Sequence, residues 1–138
     1  MKSERGVTIT AIMIYVLAFT VVVVLVTRMT TYFYKNVDQV KSNTIADTEY
    51  TKFTSYFTAE INMNGNTVRE IDSGKKYIIF GKSGNQYKYE NNTIYRNNVK
   101  ICRDVETCEF YYNKETKEID VNLKIQDKYY SSKYTIVK

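Results

Sequence analysis

Few residues of this chain are of a type and spacing that suggest chemistry. Cys102 and Cys108 are its only two cysteines, separated by Arg-Asp-Val-Glu-Thr. At that spacing a disulfide would close a short loop between the end of one strand and the start of the next. The alternative is a pair of unpaired thiols, with Cys108 acting as a small apolar residue on an inner face, and both readings stand open at this stage. Zinc needs more ligands than the chain groups together. With no His anywhere, the commonest general base is missing, and no carboxylate pair, glycine-rich phosphate loop or nucleophile with a neighbouring base is evident. No enzyme, cofactor or metal centre is expected. Asn91-Asn92-Thr93 fits the glycosylation pattern, but Asn in a turn between strands more often serves its backbone tolerance.

The remaining candidates are cations. Lys and Arg number 20 against 15 for Asp and Glu, and the resulting +5 is spread along the chain without blocks. Between Lys75 and Lys100 the basic residues are mixed with tyrosines. Lys76, Lys82, Lys88, Arg96 and Lys100 could therefore contact a polyanion such as DNA, phosphates on the cations and bases on the rings. The plainer account is a mildly basic, solvated sheet face, with most of the 14 tyrosines as half-buried strand residues.

These residues need a scaffold, and its first part is apolar. Of the 21 residues from Val7 to Thr27, only Thr8, Thr10, Thr20 and Thr27 are polar and none is charged. As a helix this segment is about 30 Å long, the thickness of a bilayer's hydrocarbon core, and only a helix satisfies its own backbone there. Lys2 and Arg5 precede it, which by the positive-inside tendency leaves the N-terminus in the cytoplasm and places residues from Arg28 onward outside. A cleaved secretory signal would show a small-x-small site after its apolar core, whereas Val24-Leu25-Val26-Thr27-Arg28 has none.

A charged leader ending in Gly6, then Val7-Thr8-Ile9 and a long apolar helix, resembles the N-terminus of type IV pilins and type II secretion pseudopilins. The resemblance implies a leader of residues 1–6 removed by the prepilin peptidase between Gly6 and Val7, with N-methylation of Val7. It implies partners too: other pilins through the N-terminal helix, the peptidase, and an assembly platform protein. Glycine leaves a protease unobstructed, and losing Lys2 and Arg5 frees the helix to leave the bilayer. The family usually carries Glu five residues into the mature chain, where this chain has Ala11. A carboxylate in hydrocarbon is costly unless paired, and the family pairs it with a neighbour's N-terminal amine. A subunit with Ala11 can receive such an acid from below but cannot offer one above, which suits the tip of a filament.

Beyond the span (7–27), apolar residues at Phe33, Val37, Val40, Ala46, Tyr50, Phe53, Phe57 and Ile61 recur mostly every three or four positions. That spacing predicts an amphipathic helical extension over 28–62 that lays one face on a sheet, ending in the Asn64-Gly65 turn region. From 63 to 138, strand-like runs alternate with turn signals: VREI, KKYIIF, NQYKYE, TIYR, VKIC, CEFYY, KEIDVNLKI and YYSSKYTIV. Ile119, Val121, Leu123 and Ile125 show the cleanest two-residue period. The order predicts an α+β fold, a long helix on an antiparallel meander sheet, as in pilins. Ile94-Tyr95-Arg96 followed by Val105, Cys108 and Phe110 is similar to the strand pattern of J-type minor pseudopilins and competence minor pilins.

The function expected is thus structural: a minor pilin or pseudopilin that initiates or caps a type IV pilus-like filament. It would sit in the cell membrane as a single-pass protein with its C-terminal domain outside, and on a surface filament after assembly. A DNA-binding minor pilin of an uptake apparatus and a plain signal-anchored exported domain are the alternatives.

Overall fold

The computed structural model describes residues 3–136, with side chains from Thr8 onward. Gly6 and Val7, the predicted cleavage and methylation site, lie outside the described side chains. One helix, α1 (Ser3–Ile61), is followed by eight antiparallel strands, so the fold is α+β. The chain divides into two compact units, Met1–Lys41 and Ser42–Lys138.

The first unit is bare helix. Every described residue from Thr8 to Lys41 is exposed except Ala11, which is partly covered. The helix here is long and apolar enough to cross a membrane.

The second unit begins with the end of α1, from Ser42. Ala46, Phe53, Phe57 and Ile61 are buried and Tyr50 is partly so, a stripe repeating at three and four residues. The stripe predicted from Phe33 onward is corrected in its first part. Phe33, Val37 and Val40 are 63%, 44% and 64% exposed, and only the members from Ala46 on are covered. The spacing makes all of them one helical pattern, but burial requires a surface to cover it, and the sheets cover only the later members.

Five strands form the first sheet in meander order: β1 (Val68–Ile71), β2 (Tyr77–Phe80), β3 (Gln86–Glu90), β4 (Thr93–Arg96) and β5 (Val99–Cys102). Three form the second: β6 (Val105–Asn113), β7 (Glu118–Ile125) and β8 (Lys128–Thr135). Asn91-Asn92 and Asn97-Asn98 close the β3–β4 and β4–β5 hairpins as two-residue loops with φ between 47° and 69° at all four positions. Tight hairpins require that left-handed pair, and Asn tolerates it best after Gly.

The single meander expected from sequence is split between Cys102 and Val105. Asp104, at φ 57°, turns the chain out of the first sheet. β6 then starts three residues before the predicted CEFYY run, and its outer edge meets the turns of the first sheet. There Val105 N–H donates to Asn92 O at 3.0 Å and Phe110 N–H to Lys75 O at 2.9 Å.

Between helix and sheets lies one core. Phe57 packs against Phe53, Tyr87, Phe80, Phe110 and Tyr134, with ring centroids 5.0 to 6.1 Å apart. In β7, Ile119, Val121, Leu123 and Ile125 all point inward while Asn122 is exposed, as the two-residue period requires.

Candidate functional site

Three places bear on function: the exposed apolar helix, a polar cluster where α1 ends, and the sheet residues singled out from sequence. On the exposed helix the hydroxyls bond within their own turn. Thr20 donates to Val16 O at 2.5 Å and Thr27 to Val23 O at 2.8 Å, so neither hydroxyl is left without an acceptor. Thr8 and Thr10 are engaged as well. Ala11 sits in a stretch, Val7 to Thr27, that carries no acid.

At the end of α1, Glu60 has a fully buried side chain. Its carboxylate accepts Asn66 Nδ2 at 3.0 Å and Asn85 Nδ2 at 2.7 Å, with Tyr87 OH at 3.5 Å. Arg96 Nη2 lies 3.3 Å from Oε2. Burial pushes the Glu60 carboxyl up, but hydrogen bonds from Ser83, Asn85 and Asn66 and the Arg96 charge outweigh it and hold the group below its ordinary range. Asn66 also donates to Glu60 O and accepts the Lys82 and Thr67 N–H groups, so one buried amide ties the helix end to the β2–β3 loop. About three turns earlier, Glu49 is buried and takes the Arg103 N–H at 2.8 Å and the Lys52 ammonium at 2.6 Å. There too burial raises the carboxyl and those donors more than reverse it.

Sequence reasoning missed both acids. The signal was present: Glu49 follows Ala46 by three and Glu60 follows Phe57 by three, so both fall on the apolar stripe, where an acid must find partners or stay uncharged.

The five cations proposed for DNA are not brought together. Lys88 and Lys100 share the outer face of the first sheet in one cross-strand row, Tyr77, Lys88, Tyr95, Lys100. That face also carries acids, since Tyr77 OH donates to Glu70 at 2.6 Å and Lys88 pairs with Glu90 at 2.9 Å. Arg96 lies on the opposite face, with Glu60. Lys82 is engaged with the Asn64 carbonyl, and Lys76 is exposed at the start of β2.

Both cysteines are free thiols and both are buried, Cys102 at the end of β5 and Cys108 inside β6. Burial pushes the Cys102 thiol up to about 12 and raises Cys108 well above its ordinary value. Of the strand residues that carried the J-type likeness, Ile94, Val105, Cys108 and Phe110 are buried and serve the core, whereas Tyr95 and Arg96 are partly exposed. Among the described residues no cluster of His, Cys, Asp or Glu could hold a metal. Comparison with protein-family models, with characterised proteins and with solved structures returns no match.

Proposed function

We propose that this chain is a minor subunit of a type IV pilin-like filament, made as a membrane-anchored precursor and assembled through its N-terminal helix. The observation that carries the proposal is the contrast along α1. From Thr8 to Lys41 every side chain but that of Ala11 is exposed, while Ala46, Phe53, Phe57 and Ile61 are buried in the core formed with the two antiparallel sheets. A helix apolar on all sides is stable only in lipid or against other helices. The leader before it, with Lys2, Arg5 and Gly6, provides what a cytoplasmic-side protease would remove.

The test is co-expression with a prepilin peptidase and mass spectrometry of the recovered protein. Loss of residues 1–6 and one added methyl group on Val7 is expected, and an intact N-terminus in the presence of active enzyme overturns the reading. Position within the filament follows from Ala11. Immunogold labelling should place the native protein at filament ends, and Ala11→Glu should allow it along the shaft.

DNA binding is a second reading, favoured by one observation, the alternation of Tyr77, Lys88, Tyr95 and Lys100 in a single row. Glu70 and Glu90 on the same face reduce its charge. Filter binding across a salt series distinguishes it, since phosphate contacts weaken steeply as salt rises.

A further inference from the structure

Arg96 stands in a cleft of about 310 Å³ lined by Tyr56, Asn85, Arg96, Asn97, Val99 and Ile101. Its guanidinium is held over the rings of Tyr56 and Tyr87, 5.6 and 5.9 Å from their centroids. A guanidinium has five N–H donors in a fixed fork. Here one contact, from Nη2 to Glu60, is made at a long 3.3 Å, and the buried Nε has no hydrogen-bond partner among the described residues. Glu60 does not need more from it, because Asn66 and Asn85 already serve both carboxylate oxygens. A guanidinium is therefore positioned by Glu60 and two rings, with its Nε enclosed and a third of the side chain exposed.

We propose that this cleft receives the carboxylate side chain of an Asp or Glu on a partner protein, in hydrogen bonds from the Nη hydrogens of Arg96 that Glu60 does not take, the buried Nε staying out of reach. Arginine forks match a carboxylate's two oxygens in geometry and charge. The surroundings select the ligand further. Glu60 lies directly behind the guanidinium, so the site as a whole is close to neutral and suits one negative charge better than a doubly charged phosphate. No lysine lines the cleft, and Lys88 and Lys100 project from the other face of the sheet. Val99 is 65% exposed and Tyr56 46%, an apolar rim against which a leucine-like neighbour of the acid can lie. Asn97 Nδ2 is fixed on Asn85 Oδ1, and Asn97 Oδ1 accepts the Gln86 N–H, so the polar wall is rigid. The site does not depend on filament assembly and stands or falls separately from it.

The experiment is a titration of ¹⁵N-labelled full-length protein in detergent micelles, reading the Arg96 Nε–H signal by NMR, assigned through its loss in Arg96→Lys. The probes are the capped dipeptide acetyl-Leu-Glu-amide, its Gln counterpart, and inorganic phosphate. The Nε–H reports on binding at the neighbouring Nη groups, so the Glu peptide should move the signal along a saturating curve, and the Gln peptide should not. Val99→Asp, at an exposed position across from Arg96, supplies an acid from the chain itself and should weaken the Glu peptide at least tenfold. The proposal is overturned if phosphate or the Gln peptide shifts the signal equally, if the Glu peptide leaves it unmoved to its solubility limit, or if Val99→Asp binds as the native chain does.

Discussion

Two stretches of α1 contain apolar residues at helical spacing and meet opposite environments. In Thr8–Lys41 large apolar side chains stand in the open, and the hydroxyls of Thr20 and Thr27 satisfy themselves on the preceding turn. In Ser42–Ile61 the apolar stripe of Ala46, Phe53, Phe57 and Ile61 is enclosed, and the buried polar groups are satisfied from far along the sequence, Glu60 by Asn85 and Arg96 and Glu49 by Arg103. The first stretch is an exposed helix whose run up to Thr27 is apolar enough to cross a membrane. The second is a helix whose face and whose charges are both completed by the sheets. A periodic pattern thus specifies a helix and its sides, but not what covers them.

The largest expected effect tests the enclosed stretch. Phe57 is fully buried at the centre of the aromatic cluster, so Phe57→Ala should destabilise the second unit by about 3–5 kcal/mol. Phe33, earlier on the same predicted stripe, is 63% exposed, and Phe33→Ala should change folding stability by less than about 0.5 kcal/mol. Urea unfolding of the full chain in micelles, followed by near-ultraviolet circular dichroism, measures both. Equal effects would erase the distinction between the two stretches.

Next comes the buried acid. Glu60→Ala leaves the Arg96 charge and two amides without their acceptor, and should cost roughly 2–3 kcal/mol, below the 3–5 of a fully enclosed pair because Arg96 is a third exposed. The pH dependence has a definite sign. The Glu60 carboxyl is lowered from its ordinary 4.5, so the folded chain favours the anion. Its stabilisation is complete above about 4.5 and is lost as pH falls through the lower folded value. Asp47 and Glu49 are lowered too and share this acid limb. The decisive quantity is therefore the difference between native and Glu60→Gln, which should narrow as pH drops below that range.

How far these stretches could be read from sequence follows from the range of the interactions. The charge-free run from Val7 to Thr27, the Asn-Asn hairpin turns and the alternation in Ile119–Ile125 are local patterns, and the helix, the tight turns and the buried strand face follow them directly. The division into two sheets rests on Asp104 adopting a left-handed backbone and on β6 bonding to turns around Asn92 and Lys75, contacts that no short window contains. Arg96 was read as one of five surface cations because its partner Glu60 lies 36 residues away. Glu60 itself could have been flagged, as an acid on an apolar stripe.

The thiols sharpen the comparison from the side of the enclosed unit. Reduced Cys102 and Cys108 are protonated near neutral pH and shielded, since burial raises both. In the folded protein they should alkylate with iodoacetamide far more slowly than in urea, where both should react. If the pair is oxidised in protein exported from cells, neither will react in urea before reduction, and the mass will be two hydrogens lower.

The smallest effects belong to single polar groups, and they separate the two stretches most cleanly. Thr20→Val removes a hydroxyl that bonds only its own helix and leaves no unpaired donor elsewhere, so unfolding should move by less than about 0.5 kcal/mol. Asn66→Ala removes a side chain that donates to Glu60 and accepts the Lys82 and Thr67 N–H groups across a loop. Three partners lose their bonds, one of them a buried carboxylate, and about 1–3 kcal/mol should go with them. If Thr20→Val proved as costly as Asn66→Ala, the exposed stretch would depend on contacts beyond its own turns, and the picture of a helix that closes its polarity locally would have to be given up.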